Sequence, residues 1–306
     1  MKLGIDFGLT NTDVVLVEDG RMVRQWTLHH AGPARLEVLE HALEAGGLAA
    51  AQLSAIATTG GLHRTLPDRF GGVPVHKVGE AEAIGRGGLA LAGMAAPREL
   101  EPRTATPQEL EPRTATPRNE PRTATPRNLV RALVVSAGTG TAMIAARDGS
   151  FEHVTGSAVG GGTLLGLGRL LLGTADPLEI ARLAKAGDPG GVDSTLADAI
   201  GGGIGHLPAS ATAVNFGRVA TSDRLPSRED LAAGLFTVVG QVIGVIALNA
   251  AKAHGLERIV VVGHLPDLEP LQEALERVWQ FYLVEPRPLI PPYSGWATAL
   301  GAALSV

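Results

Sequence analysis

Asp6 closes a short apolar run and is followed by Gly8-Leu9-Thr10. Loops of the same kind return at Gly138-Thr139-Gly140-Thr141 and Gly160-Gly161-Gly162-Thr163. Glycine lets backbone N–H groups approach an anion closely, and threonine adds a hydroxyl donor. One such loop is ordinary turn chemistry. Two that open successive halves of a chain, the first carrying a carboxylate, predict a nucleotide phosphate tail clamped between two lobes, and so phosphoryl transfer. Asp6 could hold Mg²⁺ beside the β- and γ-phosphates, directly or through water. Its bland alternative is an Asx turn capping a hairpin. Thr139 and Thr141 could donate to phosphate or to substrate hydroxyls; turn chemistry alone would also account for them.

Glu80 and Glu82 follow a strand-like run and open a helix-like one. There a carboxylate can act as a general base on an attacking hydroxyl, or merely complement the helix dipole. Two carboxylates one residue apart leave a helix start in different directions, so at most one is expected to face a cleft. The chain has nine histidines, none paired at helical spacing for a metal. His63, His153, His206 and His264 each sit near a glycine turn and are expected at the surface.

The elements that must position these residues form a repeated plan. Strands are predicted at 2–7, 13–18 and 22–28 around a glycine loop and the turn Glu18-Asp19-Gly20. A helix at Leu36–Ala45, strands at 56–61 and 73–78, and a helix at 80–94 follow. The second half gives strands at 132–136, 142–146 and 151–154 around the loop 138–141 and the turn Asp148-Gly149. Helices at 163–172, Pro177–Ala186, 194–199 and 228–254 come next. A strand at 259–263, a helix at 268–280, a strand at 281–284 and a helix at 295–304 close the chain. The simplest architecture is a duplicated α/β lobe with a cleft between the halves. The expected organisation is an N-terminal lobe (1–96), a loop (97–128) and a C-terminal lobe (129–306). Within the loop Glu-Pro-Arg-Thr-Ala-Thr-Pro occurs three times, at 101–107, 111–117 and 120–126. Its composition has nothing to bury and no helix or strand period, so it is expected to be a disordered tether.

Composition excludes several function classes. The 306 residues carry a formal net charge of −5, with no basic stretch interleaved with aromatics, which argues against a nucleic-acid surface. There is no cysteine, which removes disulfides, thiolate catalysis and cysteine-held zinc or iron–sulfur centres. No charged-then-apolar leader opens the sequence, because Asp6 interrupts the first apolar run, so a cytoplasmic protein is expected. The run 231–251 lacks charge and mimics a membrane span. Gln241 and Asn249 within it, and glycines at 234, 240 and 244, predict a buried helix instead. The Gly240–Gly244 spacing suits close packing by another helix, of the same chain or of a partner.

The order Gly4-Ile5-Asp6, Gly8, Thr10, then Glu80-x-Glu82-Ala83 with Gly87, then Gly138–Thr141, resembles the type II pantothenate kinases. So do Gly156, Gly160-Gly161-Gly162-Thr163, Gly166-Leu167-Gly168 and Asn215-Phe216-Gly217. The resemblance covers nearly all of the chain outside about 97–128. It implies the actin-like, ribonuclease H-like ATPase fold and ATP- and Mg²⁺-dependent phosphorylation of pantothenate, the first step toward coenzyme A. By position Glu80 matches the catalytic glutamate, and Asp6 the catalytic and metal-side aspartate. Gly8, Leu9, Thr10, Gly138, Thr139, Gly140, Gly160, Gly161, Gly162, Thr163 and Gly263 would border the nucleotide. Glu80, Thr139, Thr141, His153 and Asn215 would meet the substrate. The resemblance also implies a homodimer packed through helix 228–254.

Two departures from the family pattern stand out. The first loop reads Gly8-Leu9-Thr10 rather than Gly-Gly-Thr, and Asp13 falls where a lysine is usual, so that phosphate grip must come from elsewhere or Asp13 must turn away. The run from Thr10 to Leu16 looks more like the hydantoinase/oxoprolinase ATPase domain. His153 replaces a substrate-holding arginine and offers no bidentate fork. The alternatives are therefore a kinase for another small hydroxylated substrate, such as an amino sugar, or a hydantoinase-type ATPase module without kinase activity.

Overall fold

The computed structural model describes residues 1–29, 32–93, 131–285 and 287–306. The repeat at 97–128 lies outside them. β1 (Lys2–Phe7), β2 (Asn11–Glu18) and β3 (Arg21–His29) form an antiparallel meander. Asp19 and Gly20 close its second hairpin at φ 49° and 76°, the two-residue turn whose twist matches that of the strands. α1 (Leu36–Ala45), β4 (Ala55–Gly60), β5 (Arg69–Phe70), β6 (Val73–Lys77) and α2 (Glu80–Leu91) complete the first half. Its sheet runs β3-β2-β1-β4-β6-β5, with β4 parallel to β1.

The second half starts on the same plan. β7 (Arg131–Ala137), β8 (Thr141–Arg147) and β9 (Ser150–Ser157) form a meander, and Asp148-Gly149 turns it at φ 51° and 86°. α3 (Gly161–Leu172), α4 (Pro177–Ala186), β10 (Ser194–Thr195), α5 (Leu196–Ile200) and β11 (Thr212–Val214) follow. The chain ends with α6 (Arg228–Ala253), β12 (Arg258–Val262), α7 (Glu269–Tyr282) and α8 (Ala297–Leu304). The second sheet runs β12-β7-β8-β9, with β12 parallel to β7. That repeats the β4-β1-β2-β3 order of the first. Two lobes thus share one strand plan.

Strand alternation decides what faces the cleft. Leu3, Ile5 and Phe7 of β1 are buried with Val38, Leu39, Ala42 and Leu43 of α1. The intervening residues point the other way, so Gly4 meets α8 and Asp6 reaches the interlobe side at the strand's end. α8, although last in sequence, packs on the first sheet through Ala299, Leu300 and Ala303 against Val15 and Val17. α2 instead lays Ile84 and Leu89 against Ala132, Val134 and Ile144 of the second sheet. The two helices meet backbone to backbone. A Cβ on Gly87 would fall 1.7 Å from the Ala297 carbonyl oxygen, and one on Gly301 would fall 1.8 Å from that of Ala83. Only glycine permits this approach.

α6 passes by length and hydropathy for a membrane span, yet it supplies the core of the second lobe through Leu235, Phe236, Val239 and Ile243. Its Gly240 and Gly244 receive Ala274 and Val278 of α7, so the glycine spacing is used within the chain.

Two expectations need correction. The predicted strand 281–284 does not form: α7 continues to Tyr282, and Leu283 ends it in the left-handed region at φ 49°. Leu271, Leu275, Val278 and Trp279 are buried at helical spacing, and that stripe outweighs the short apolar run. The strand-like contact falls at Leu289, which bridges Val260 in parallel. Likewise the helix predicted over 194–199 yields Ser194 and Thr195 to β10, and Thr195 caps α5 through Asp198.

Candidate active site

A cavity of about 780 Å³ opens between the two meanders. Its walls include Asp6, the loop Gly8-Leu9-Thr10, Glu80, the loop 138–141, Gly161, Gly162 and Gly263. The two loops touch: the Thr10 and Thr139 hydroxyls form a hydrogen bond of 3.0 Å across the lobes. The amides of Leu9, Thr10, Thr139 and Gly140 have no hydrogen-bond partner among the described residues. Successive unpaired loop amides that face one cleft form the kind of concavity that binds an anion.

The third loop plays a different part. The Gly161 and Gly162 amides donate to the carbonyls of Gly138 and Thr139, both at 2.8 Å, and so brace the second loop. Gly160 and Thr163 do not line the cavity. The Gly160 amide donates to Thr163 Oγ1 at 3.4 Å, and Thr163 Oγ1 donates to the Ala158 carbonyl at 3.2 Å. Thr141 faces the cavity, but its hydroxyl donates to the Val159 carbonyl at 2.9 Å.

Asp6 packs against Gly60, where an added Cβ would come within 2.6 Å of Asp6 Oδ1 and where φ is +86°. Burial pushes the Asp6 carboxyl up to about 7; the charges of Asp13 and Glu80 add to the rise, and His264 opposes it. A carboxylate so disfavoured gains from a nearby cation. Among the described residues no three acidic or histidine side chains converge as a metal cage. Mg²⁺ is commonly held by one or two carboxylates together with phosphate oxygens and water. Asp6 and the free loop amides therefore fit a magnesium–triphosphate group.

Glu80 stands at the first position of α2, exposed to the cavity. Glu82 turns away and pairs with Arg86 at 2.9 Å, as expected of two acids one residue apart. The structure separates two predicted substrate residues from the cavity. His153 is exposed on β9, opposite Ile144. Asn215 lies in a turn beyond β11, where its Nδ2 donates to Asp193 Oδ2 at 3.5 Å. Asp193 is fully buried and also accepts from Thr212 Oγ1 and the Phe216 amide, both at 2.9 Å. Burial raises its carboxyl; these hydrogen bonds and Arg277 pull the other way. Asn215-Phe216-Gly217 is thus hung on Asp193, a residue no local pattern singles out.

His264, expected at the surface by default although the family resemblance puts its turn beside the nucleotide, has a role the sequence reading did not assign. It is half-buried at the cavity wall, with Nε2 at 2.8 Å from Asp13 Oδ1 and Nδ1 at 3.5 Å from Asp267 Oδ2. Burial alone would lower its pKa, but the hydrogen bonds and charges of Asp13 and Asp267 outweigh that and hold it at about 10. The signal was its place after Gly263, a strand-end glycine at φ +106° whose Cβ would strike the Ala137 carbonyl. His63, also expected outside, is buried with Nδ1 at 2.6 Å from the Gly60 carbonyl oxygen.

The Fumble family model matches residues 36–305. The chain belongs to the Fumble family. Relatives of this Fumble chain include Pantothenate kinase 1 of Oryza sativa subsp. japonica, 39% identical over 155 residues, which are 47% of this chain and 23% of that protein. The 4'-phosphopantetheine phosphatase of Mus musculus is 33% identical over 177 residues, 56% of this chain and 22% of that protein. A type II pantothenate kinase of Bacillus cereus is 30% identical over 131 residues, 43% and 48% of the two chains. The chain therefore spans between about a quarter and a half of the length of these curated relatives. Among solved structures, the activator of the 2-hydroxyisocaproyl-CoA dehydratase from Clostridium difficile, with bound ADPNP, superposes at TM-score 0.60. It is 16% identical, with 99% of this chain and 93% of that one covered. A ROK family glucokinase from Streptomyces griseus, in complex with glucose and AMPPNP, gives TM-score 0.57 at 13% identity, covering 99% and 97%. The fold is that of the actin-like ATPases and sugar kinases, two lobes around a cleft.

Proposed function

We propose that this protein phosphorylates the primary hydroxyl of pantothenate with ATP, giving 4'-phosphopantothenate at the start of coenzyme A synthesis. The observation that carries the reading is that Glu80, Asp6 and the unpaired amides of two opposed loops share one cavity. The kinase names of the Oryza and Bacillus relatives support it. Asp6 would hold Mg²⁺, and the amides of Leu9, Thr10, Thr139 and Gly140 would hold the phosphates. When bound, MgATP supplies the phosphoryl group and much of the charge neutralisation it needs.

The chain's own residues supply placement and a base. Glu80 accepts the hydroxyl proton while that oxygen bonds to the γ-phosphorus and the bond to the β-phosphate oxygen breaks. The loop amides stabilise charge on the phosphoryl oxygens from fixed positions, with no reorganisation at the moment of transfer. Gly161 and Gly162 act one step back by bracing the second loop. The reading includes lobes at 1–96 and 129–306, a homodimer packed through α6, and a cytoplasmic setting.

A coupled assay with ATP, with and without pantothenate, tests it: ADP release that depends on pantothenate supports the assignment, and release indifferent to pantothenate overturns it. A second reading, a kinase for another small alcohol on the same fold, is favoured by the positions of His153 and Asn215 away from the cavity. A panel of hydroxylated acceptors decides between the two.

A further inference from the structure

Asp6 and Asp13 are register partners on the antiparallel strands β1 and β2. Facing residues of such a pair have Cβ atoms about 4.5–5.5 Å apart, and like charges placed so repel. Both acids line the cavity, together with Glu80, while among the described residues no lysine or arginine does. A phosphate tail brings still more negative charge to this end. Asp13 is 7% exposed, so solvent screens it little.

One oxygen of Asp13 is nevertheless held by two other groups. Its Oδ1 accepts from Thr27 Oγ1 at 2.6 Å and meets His264 Nε2 at 2.8 Å. His264 belongs to the other lobe, at the end of β12, and its second nitrogen faces Asp267. A carboxylate beside each nitrogen, at 2.8 and 3.5 Å, favours the ring with a proton on both. Asp267 is fixed in turn, accepting from Ser294 Oγ at 2.9 Å. Trp296 meets the ring edge-on at 5.2 Å, and a Cβ at Gly295 would fall 2.3 Å from it. The imidazole is wedged in place with a carboxylate beside each nitrogen.

We propose that His264 is a positioning residue for the nucleotide end of the cleft, neutralising Asp13 and holding its carboxylate between the lobes so that Asp6 alone serves a metal–phosphate group from that strand pair. The inference rests on the kinase reading, because it presumes a metal-bound triphosphate beside Asp6.

The test is a binding cycle on the full chain, with calorimetry of AMPPNP plus Mg²⁺ and no alcohol acceptor. His264→Gln leaves Asp13 charged and uncompensated, and is expected to weaken binding about tenfold, the size of one close coupling. Asp13→Asn removes the offending charge and is expected to bind at or above wild-type affinity, although the interlobe contact is weakened. The double variant is expected to recover most of what His264→Gln loses. A merely structural latch gives a different pattern: Asp13→Asn then weakens binding as much as His264→Gln, and the double variant recovers nothing. Either result overturns the proposal. Should His264→Gln not fold, Asp13→Asn alone decides, with retained affinity supporting the proposal and a tenfold loss refuting it. A wild type that binds no nucleotide sinks the kinase reading and this inference together. A wild type that binds, matched by His264→Gln, sinks this inference alone.

Discussion

Thr10 and Thr139 share a 3.0 Å hydroxyl–hydroxyl hydrogen bond although 129 positions separate them. Each lies in the glycine loop that joins the first two strands of a repeated meander, so the bond joins corresponding loops of two lobes. It also holds the free amides of both loops on one cavity. A neutral hydrogen bond of this kind is worth about 1 kcal/mol net. Thr10→Ala and Thr139→Ala should each weaken nucleotide binding by about fivefold. The double variant should lose little more than either single one, since both remove the same bond. Additive losses in a titration of the three variants would show that the hydroxyls act separately.

Glu80 and Glu82 offer a paired comparison on one helix turn. Glu80→Gln should keep nucleotide affinity and lower turnover by about 10²–10⁴, the usual worth of a general base. Glu82→Gln breaks only an exposed pair with Arg86, worth about 0–1 kcal/mol, so turnover should stay near wild type. Steady-state kinetics of both variants checks this. Equal effects, large or small, would remove Glu80 from the chemistry.

The crossing of α2 and α8 fixes where Glu80 stands, and it has no slack. Gly87→Ala or Gly301→Ala would drive a methyl group into a backbone carbonyl that cannot rotate away. Overpacking of this kind costs about 1–3 kcal/mol and occasionally more. Urea midpoints should fall accordingly, whereas Gly166→Ala, where a Cβ meets open space, should leave the midpoint unchanged or raise it. A Gly87→Ala variant as stable as wild type would mean that the two helices can part.

Much of this was legible in the sequence because it is encoded locally. Asp6 and Gly8 follow an alternating strand, Asp19-Gly20 and Asp148-Gly149 mark matching turns, and the two meanders repeat one plan. Glu80 could be read from its place at a helix start. What stayed hidden was encoded across the chain. Asp13 and His264 meet over 251 positions, and nothing beside either residue announces the other. Asn215 was expected at the site only through the family resemblance of Asn215-Phe216-Gly217, yet the buried Asp193 that organises it lies in an unremarkable run. The 281–284 segment misled for the opposite reason: a short apolar run was weighed without the longer helical stripe that governs it.

His264 sets the sign of one pH response. Its pKa in the folded protein is about 10, held up by Asp13 and Asp267 against the opposing effect of burial, while an unfolded histidine titrates near its ordinary 6.5. The folded state thus binds the proton more tightly. Its stabilising contribution is complete below pH 6.5 and is lost progressively as pH rises from there through about 10. Asp6 acts in the same direction in a lower window, from its ordinary 3.8 to about 7, because the folded state favours its neutral form. Between pH 7 and 10 the decline should therefore come mainly from His264. Urea midpoints taken without nucleotide across that range should fall for wild type and flatten for His264→Gln. The same slope in both proteins would show that the histidine is not charged between the two acids.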